Sequence, residues 1–149
     1  MNRIQAARWL MTFLLTATTV LSFVLDWSAN HLLNPAWHPH ARFHGALLLF
    51  MLAGVTGTAL HLLWRESAEP GVMVRAAGML SLAFWTPLFY ITTLLPSSTS
   101  WAGASDADPR LRGAVVTPNL LVAALFVALT LTAMALSWHE SGDRSKVHH

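Results

Sequence analysis

Four runs of apolar residues, each ended by charged or polar residues, leave this chain few ways to fold. They extend from Trp9 to Leu25, from Phe43 to Trp64, from Ala76 to Leu95 and from about Ala114 to Trp138. Each approaches the ~20 residues that an α-helix needs to cross ~30 Å of hydrocarbon. Lipid offers no partner to backbone N–H and C=O groups, so a spanning segment must satisfy them internally. Period-2 alternation is absent, which leaves helices. The expected fold is all-α and integral to the membrane: one domain over residues 1–149, a four-transmembrane-helix bundle connected up-down-up-down. Trp9, Trp27, Trp64 and Trp138 fall at segment ends, where an amphipathic ring favours the interface.

Composition agrees. Only 11% of residues are charged and 54% are hydrophobic, against roughly a quarter charged in a soluble domain. The pI near 9.9 reflects a net charge of only +2, which gives no reason to expect a nucleic-acid partner. The basic residues lie between apolar runs and act as topology signals. With the N-terminus inside, Arg3, Arg8, Arg65, Arg75, Arg144 and Lys146 are inner, while Arg42, Arg110 and Arg112 are outer. This asymmetry predicts the cell (inner) membrane with both termini cytoplasmic. Outer loops then cover 26–42 and 96–113, an inner turn with Pro70-Gly71 covers 65–75, and 139–149 form a solvated tail. Arg3 and Arg8 before the first run resemble a signal-peptide start, but no convincing small-x-small cleavage site follows, so the segment is read as retained. No internal repeat is evident.

The chain has no cysteine, which excludes disulfides, thiolate metal sites and redox thiol pairs. Chemistry must come from His, Asp, Glu, Tyr, Asn or a bound cofactor. Half of the eight histidines lie between Asp26 and Gly45, in the segment DWSANHLLNPAWHPHARFHG. Asn34-Pro35 and His38-Pro39 restrict the residues before each proline and shape this loop. Pro39 suits a helix first turn, so the second helix is expected to begin near His40.

His40 and His44 then stand four apart on one helical face. Two imidazoles at that spacing are a familiar metal-ligand pair, with His31 or Asp26 as a third ligand. A divalent metal on His31, His40 and His44 is one reading. Acid–base chemistry without metal, at catalytic Asp26, His31, His40 and His44, is another. A third is structural: His and Trp settle readily at an interface, and Arg42 can snorkel or pair with Asp26. His38 alone reads as a loop residue.

Other helices send polar groups to the same end. Thr19, Ser22 and Asp26 form a stripe on the first, Tyr90, Thr92 and Thr93 lie near the outer end of the third, and Thr117-Pro118-Asn119 open the fourth. Asn34, Trp37, Arg42, Tyr90 and Asn119 are the candidate substrate-binding residues. Trp85-Thr86-Pro87 suggests a kink or a cavity floor, with a packing role the commoner explanation. His61 lies 17 residues beyond His44, about 25 Å along a helix, and cannot join an outer site. With His139 it makes bis-histidine haem conceivable but not expected.

The residues Asp26-Trp27, His31, Asn34-Pro35, Trp37 and Pro39-His40-Ala41-Arg42-Phe43-His44, with Asp108-Pro109 and Pro118-Asn119, resemble the signature of an uncharacterised family of small four-span bacterial membrane proteins. That resemblance implies roles for Asp26, His31, Asn34, His40, Arg42 and His44, and it omits His38. It brings no activity. The plan of the chain also looks broadly similar to emopamil-binding-type isomerases, cofactor-poor oxygenases and membrane terpenoid cyclases. The expectation is an enzyme acting on a hydrophobic small molecule or lipid: a terpenoid, sterol-like, quinone or polyketide compound. Isomerisation or cyclisation comes first, and metal-assisted oxidation second. The alternative is a non-catalytic ligand-binding or accessory subunit of a membrane complex, or a homo-oligomer. Small-residue faces at Ala53-Gly54-x-x-Gly57-x-Ala59 and Ala76-Ala77-Gly78 would mark it, and both could equally be internal packing faces.

Overall fold

In a computed structural model of the protein the described residues are 2–96, 98, 110–111 and 114–144, with side chains described at 2–96, 98 and 116–138. Helix α1 spans Arg3–Asp26, and its first turn is capped by the Asn2 side chain, which accepts from the Gln5 N–H at 2.9 Å. Helix α2 spans Pro39–Trp64, with His38 as N-cap and Pro39 in the first turn. Helix α3 spans Pro70–Trp85, a 3₁₀ turn covers Thr86–Phe89, and a short α4 follows at Ile91–Leu94. Arg110–Leu111 (β1) and Ala114–Val115 (β2) make a two-residue antiparallel ladder before α5, Pro118–Arg144. Four helical stretches, Arg3–Asp26, Pro39–Trp64, Pro70–Phe89 and Pro118–Trp138, are long and apolar enough to cross a membrane.

Several boundaries differ from the sequence reading, and prolines explain most of them. Pro70-Gly71, expected in the inner turn, opens α3 instead, and Pro118 opens α5 four residues later than expected. A proline at the first helical position gives up only an N–H that has no intrahelical partner. Pro87 works the other way: within the third run it cannot donate to the helical ladder, and the chain tightens into a 3₁₀ turn. Residues 139–144, expected in the tail, continue α5. Most of the 96–113 loop lies outside the described residues, as does the His139 side chain.

The core is built mainly from α1, α3 and α5, with Met11, Leu14 and Val74 fully buried in it, and α2 adds Ala59 and the fully buried Leu63. Small residues bring α3 and α5 together. A Cβ at Gly71 would stand 2.9 Å from the Ser137 carbonyl oxygen, and one at Gly78 would stand 2.6 Å from Met134 Cγ. Hydroxyls and indoles bridge the helices. Ser81 and Thr130 meet at 2.9 Å, Trp85 Nε1 donates to Thr18 Oγ1 at 3.0 Å, and Trp64 Nε1 donates to Thr12 Oγ1 at 2.9 Å. Close backbone approach at small residues and interhelical hydroxyl bonds are how helices associate where lipid supplies no hydrophobic drive.

Helix α2 sits on one side, against α1 and α3, and among the described residues it makes no close approach to α5. Its rungs on α1 run from Trp9 on Trp64, through Thr19 on Thr56 at 2.7 Å, to Phe23 on Phe50. The bundle's outside is apolar: Phe13, Val24, Phe43, Phe50, Met79, Leu94 and Leu121 are all exposed. At the opposite end from the long loop, Arg8 lies over the Trp64 ring and Arg75 over Trp138, each 5.8 Å from the centroid.

Candidate functional site

The loop between α1 and α2 folds back onto the helix ends. Its backbone closes on itself: His31 N–H donates to Ser28 O, Leu32 N–H to Asp26 O, and Asn34 N–H to His31 O. The Asn34 side chain accepts from the Ala36 N–H at 2.9 Å, the Asx turn expected before a proline. Arg42, one turn into α2, donates from Nε to the Leu32 carbonyl at 2.7 Å. Leu32 is thereby pressed inward and is only 5% exposed. It can lie there because α2 carries Gly45: a Cβ at that position would stand 2.7 Å from Leu32 Cδ2 and 3.9 Å from Trp37 Cζ3.

This clamp roofs a partly open cavity of about 280 Å³. Ser22, Asp26 and His31 form its polar end, Trp37 one edge, and Leu48, Leu49, Leu52 and Phe84 its apolar walls. The stripe read on α1 thus arrives at the cavity through Ser22 and Asp26, while Thr19 turns to Thr56 instead. Asp26 is half-buried, and His31 is the titratable group that acts on it electrostatically. Among the described residues no ion pair engages the Asp26 carboxylate, and His31 Nδ1 is buried with no hydrogen-bond partner. The Trp37 ring meets His31 edge-on, with centroids 6.0 Å apart. Asp26 also closes α1, at the negative pole of a helix, where a cation would be favoured. A carboxylate set there against local preference, beside an imidazole nitrogen with no hydrogen-bond partner, is a local inconsistency of the kind found at functional or strained positions.

The structure separates what the sequence reading grouped. His40 and His44 do not reach the cavity with Asp26 and His31. Both are exposed, and their Nε2 atoms meet each other at 3.0 Å. The reason is rotation about α2: successive residues differ by about 100°, and Gly45, Leu49 and Leu52 hold the inward face. The three-ligand metal site on His31, His40 and His44 is therefore not assembled, and among the described residues no group of three His, Asp or Glu could hold a metal ion. Arg42 does not pair with Asp26, because its guanidinium serves the Leu32 carbonyl. Asn34 serves the turn.

Tyr90, expected to bind substrate, is 47% exposed and absent from the cavity lining. Asn119, at the start of α5, does not line it either. Trp85, offered as a cavity floor, is buried against Phe126 and Thr18; its neighbour Phe84 lines the cavity. His61 is exposed on α2. Sequence reasoning missed Gly45 and Phe84, although a glycine directly after the His44 motif was a readable sign of close approach.

No curated protein and no solved structure matches the chain. One family model does, over residues 12–144, which include the loop, the cavity lining, all of α2, α3 and α5, and α1 from Thr12 onward. The chain belongs to the family of unknown function DUF6640.

Proposed function

We propose that the protein is a membrane-embedded enzyme that moves protons on a small hydrophobic molecule, using Asp26 and His31 as its acid–base pair. The observation that carries this reading is the cavity itself, with a carboxylate and an unpartnered imidazole at one end and aliphatic walls at the other. Two titratable groups facing an apolar pocket can take a proton from one carbon and return one to another. Shifting a double bond this way neither adds nor removes atoms and calls for no redox partner. Cyclisation begins with the same proton delivery.

The membrane setting rests on the apolar outside of the bundle and on the tryptophans at its ends. The rungs pairing early α1 with late α2, and early α3 with late α5, support an up-down-up-down order. Six basic residues against three favour both termini in the cytoplasm, with the cavity then near the outer leaflet of the cell membrane. Leu48, exposed at the cavity's edge, leaves a way in from lipid.

Size narrows the substrate. An apolar cavity of ~150 Å³ holds one benzene, so 280 Å³ admits about eleven non-hydrogen atoms. A short terpenoid fits whole. A sterol, quinone or polyketide would enter only with its reactive end, its remainder lying in lipid.

Deuterium exchange tests this without a known substrate. Purified protein in D₂O is incubated with a panel of unsaturated C10 to C15 isoprenoid alcohols and ketones, followed by mass spectrometry. Carbon-bound deuterium should appear with the wild type and fall at least ~100-fold with Asp26→Asn or His31→Gln, both folded. Exchange that persists in both variants, or none with any member of the panel, would reject proton-transfer chemistry at this pair.

One observation favours a second reading, an accessory or self-associating subunit. A Cβ at Gly54 or Gly57 would meet nothing within 4 Å, so the small-residue face of α2 looks outward, unlike that around Gly78. Dimer-specific cross-linking through Gly57→Cys, with exchange chemistry absent, would favour it.

A further inference from the structure

The imidazoles of His40 and His44 lie outside the cavity and take no part in the chemistry proposed for it. We propose that they form a separate two-histidine site for a divalent transition-metal ion of the nitrogen-preferring kind, copper(II) or zinc(II), on the exposed first turns of α2. Their Nε2 atoms approach to 3.0 Å, with ring centroids 4.4 Å apart and planes at 85°. Two imidazole nitrogens on one zinc at ~2.0–2.1 Å with a tetrahedral angle stand about 3.3 Å apart, and at a right angle about 2.9 Å apart. The observed separation falls between these two bites, so a single ion reaches both nitrogens with a small adjustment of either ring.

The pair is held ready by its surroundings. Pro39 fixes the first turn, and the His38 ring caps it, its Nδ1 accepting the His40 N–H at 3.2 Å. That bond ties the His38 ring to the turn through Nδ1, apart from the Nε2 pair of His40 and His44. Phe43 stacks on His40 at 6.3 Å and meets His44 edge-on at 5.5 Å, which restricts both rings. If both rings carry their proton on Nδ1, the two Nε2 lone pairs face one another, and a cation between them turns repulsion into ligation. The nearby positive pole of the helix opposes a cation, so borderline ions that bind imidazole nitrogen strongly are favoured over calcium or magnesium. Exposure of both residues lets water complete the coordination shell.

A bound ion would brace the turn of α2 that carries Arg42 and Gly45, the two residues clamping Leu32 over the cavity. The test uses the full chain in detergent, with His139, His148 and His149 replaced by Ala to remove competing imidazoles. Titration with zinc should show one saturable equivalent. Copper(II) bound at one equivalent should show nitrogen hyperfine structure from two imidazoles. His40→Ala and His44→Ala should each weaken binding about tenfold or more, while His38→Ala and His31→Ala leave it unchanged, circular dichroism confirming the fold of each. Absence of a saturable equivalent, or binding unaffected by His40→Ala and His44→Ala, would overturn the site. So would loss of binding in folded His31→Ala, which would place the ion in the cavity.

Discussion

Leu32 and Gly45 meet at the tightest point of the loop, and the candidate site depends on that contact. The loop must descend far enough for His31 to reach the cavity, and a side chain on α2 would hold it off. A Cβ at Gly45 would face the end of the flexible Leu32 side chain, not backbone, so Gly45→Ala should fold. It should cost about 1–3 kcal/mol by overpacking and raise amide exchange at His31, Leu32 and Leu33, read by mass spectrometry. Arg42 holds the same point from the other side. Arg42→Met keeps much of the stem but strands the buried Leu32 carbonyl, at about 1–3 kcal/mol. If Arg42→Met leaves the melting temperature and the loop exchange untouched, the clamp described for this loop is wrong.

Among the elements, α3 and α5 form the closest pair, and two glycines on different helices show what closeness demands. At Gly71 a methyl group would strike the Ser137 carbonyl oxygen, which is backbone and cannot yield without moving the helix. At Gly54 it would enter open space. Gly71→Ala should therefore lower thermal stability clearly, while Gly54→Ala should be neutral or stabilise by up to ~1 kcal/mol through helix propensity. The Ser81–Thr130 bond bears on the same interface. A double-mutant cycle with Ser81→Ala and Thr130→Val should return a coupling of about 0.6 kcal/mol, typical of hydroxyl bonds between membrane helices. Equal effects of Ala at Gly71 and Gly54 would contradict the packing described here.

For the whole molecule, the absence of cysteine makes orientation directly measurable. Ala29→Cys lies in the long loop and Glu66→Cys between α2 and α3, both at exposed positions. An impermeant thiol reagent on intact cells should label the first and spare the second; the reverse pattern inverts the topology. At this scale the sequence was informative about the helices, because its four apolar runs lie in four helical stretches long and apolar enough to cross a membrane. The shaped loop was legible too, since Asn34-Pro35 and His38-Pro39 restrict backbone locally. What could not be read was the rotation of α2. Residues Pro39–Trp64 are apolar nearly all round, so no stripe says which face turns inward. His40 and His44 do share a face, but only packing through Gly45 and Leu49 reveals that their imidazoles stay outside the cavity lining and meet each other instead. Phe84 comes from a helix distant in sequence, and its part in the cavity is a tertiary fact.

The lateral seat of α2 also bears on how the protein comes into being. A chain is made from its N-terminus, and every rung between α1 and α2, from Trp9 on Trp64 to Phe23 on Phe50, lies within the first sixty-four residues. The loop, its clamp and nine of the ten cavity-lining residues belong to that same stretch. The hairpin carrying the site can therefore assemble while the ribosome is still making α3 and α5, which complete the core. Only Phe84 arrives afterwards, brought by α3, and its ring is the last wall to be set in place.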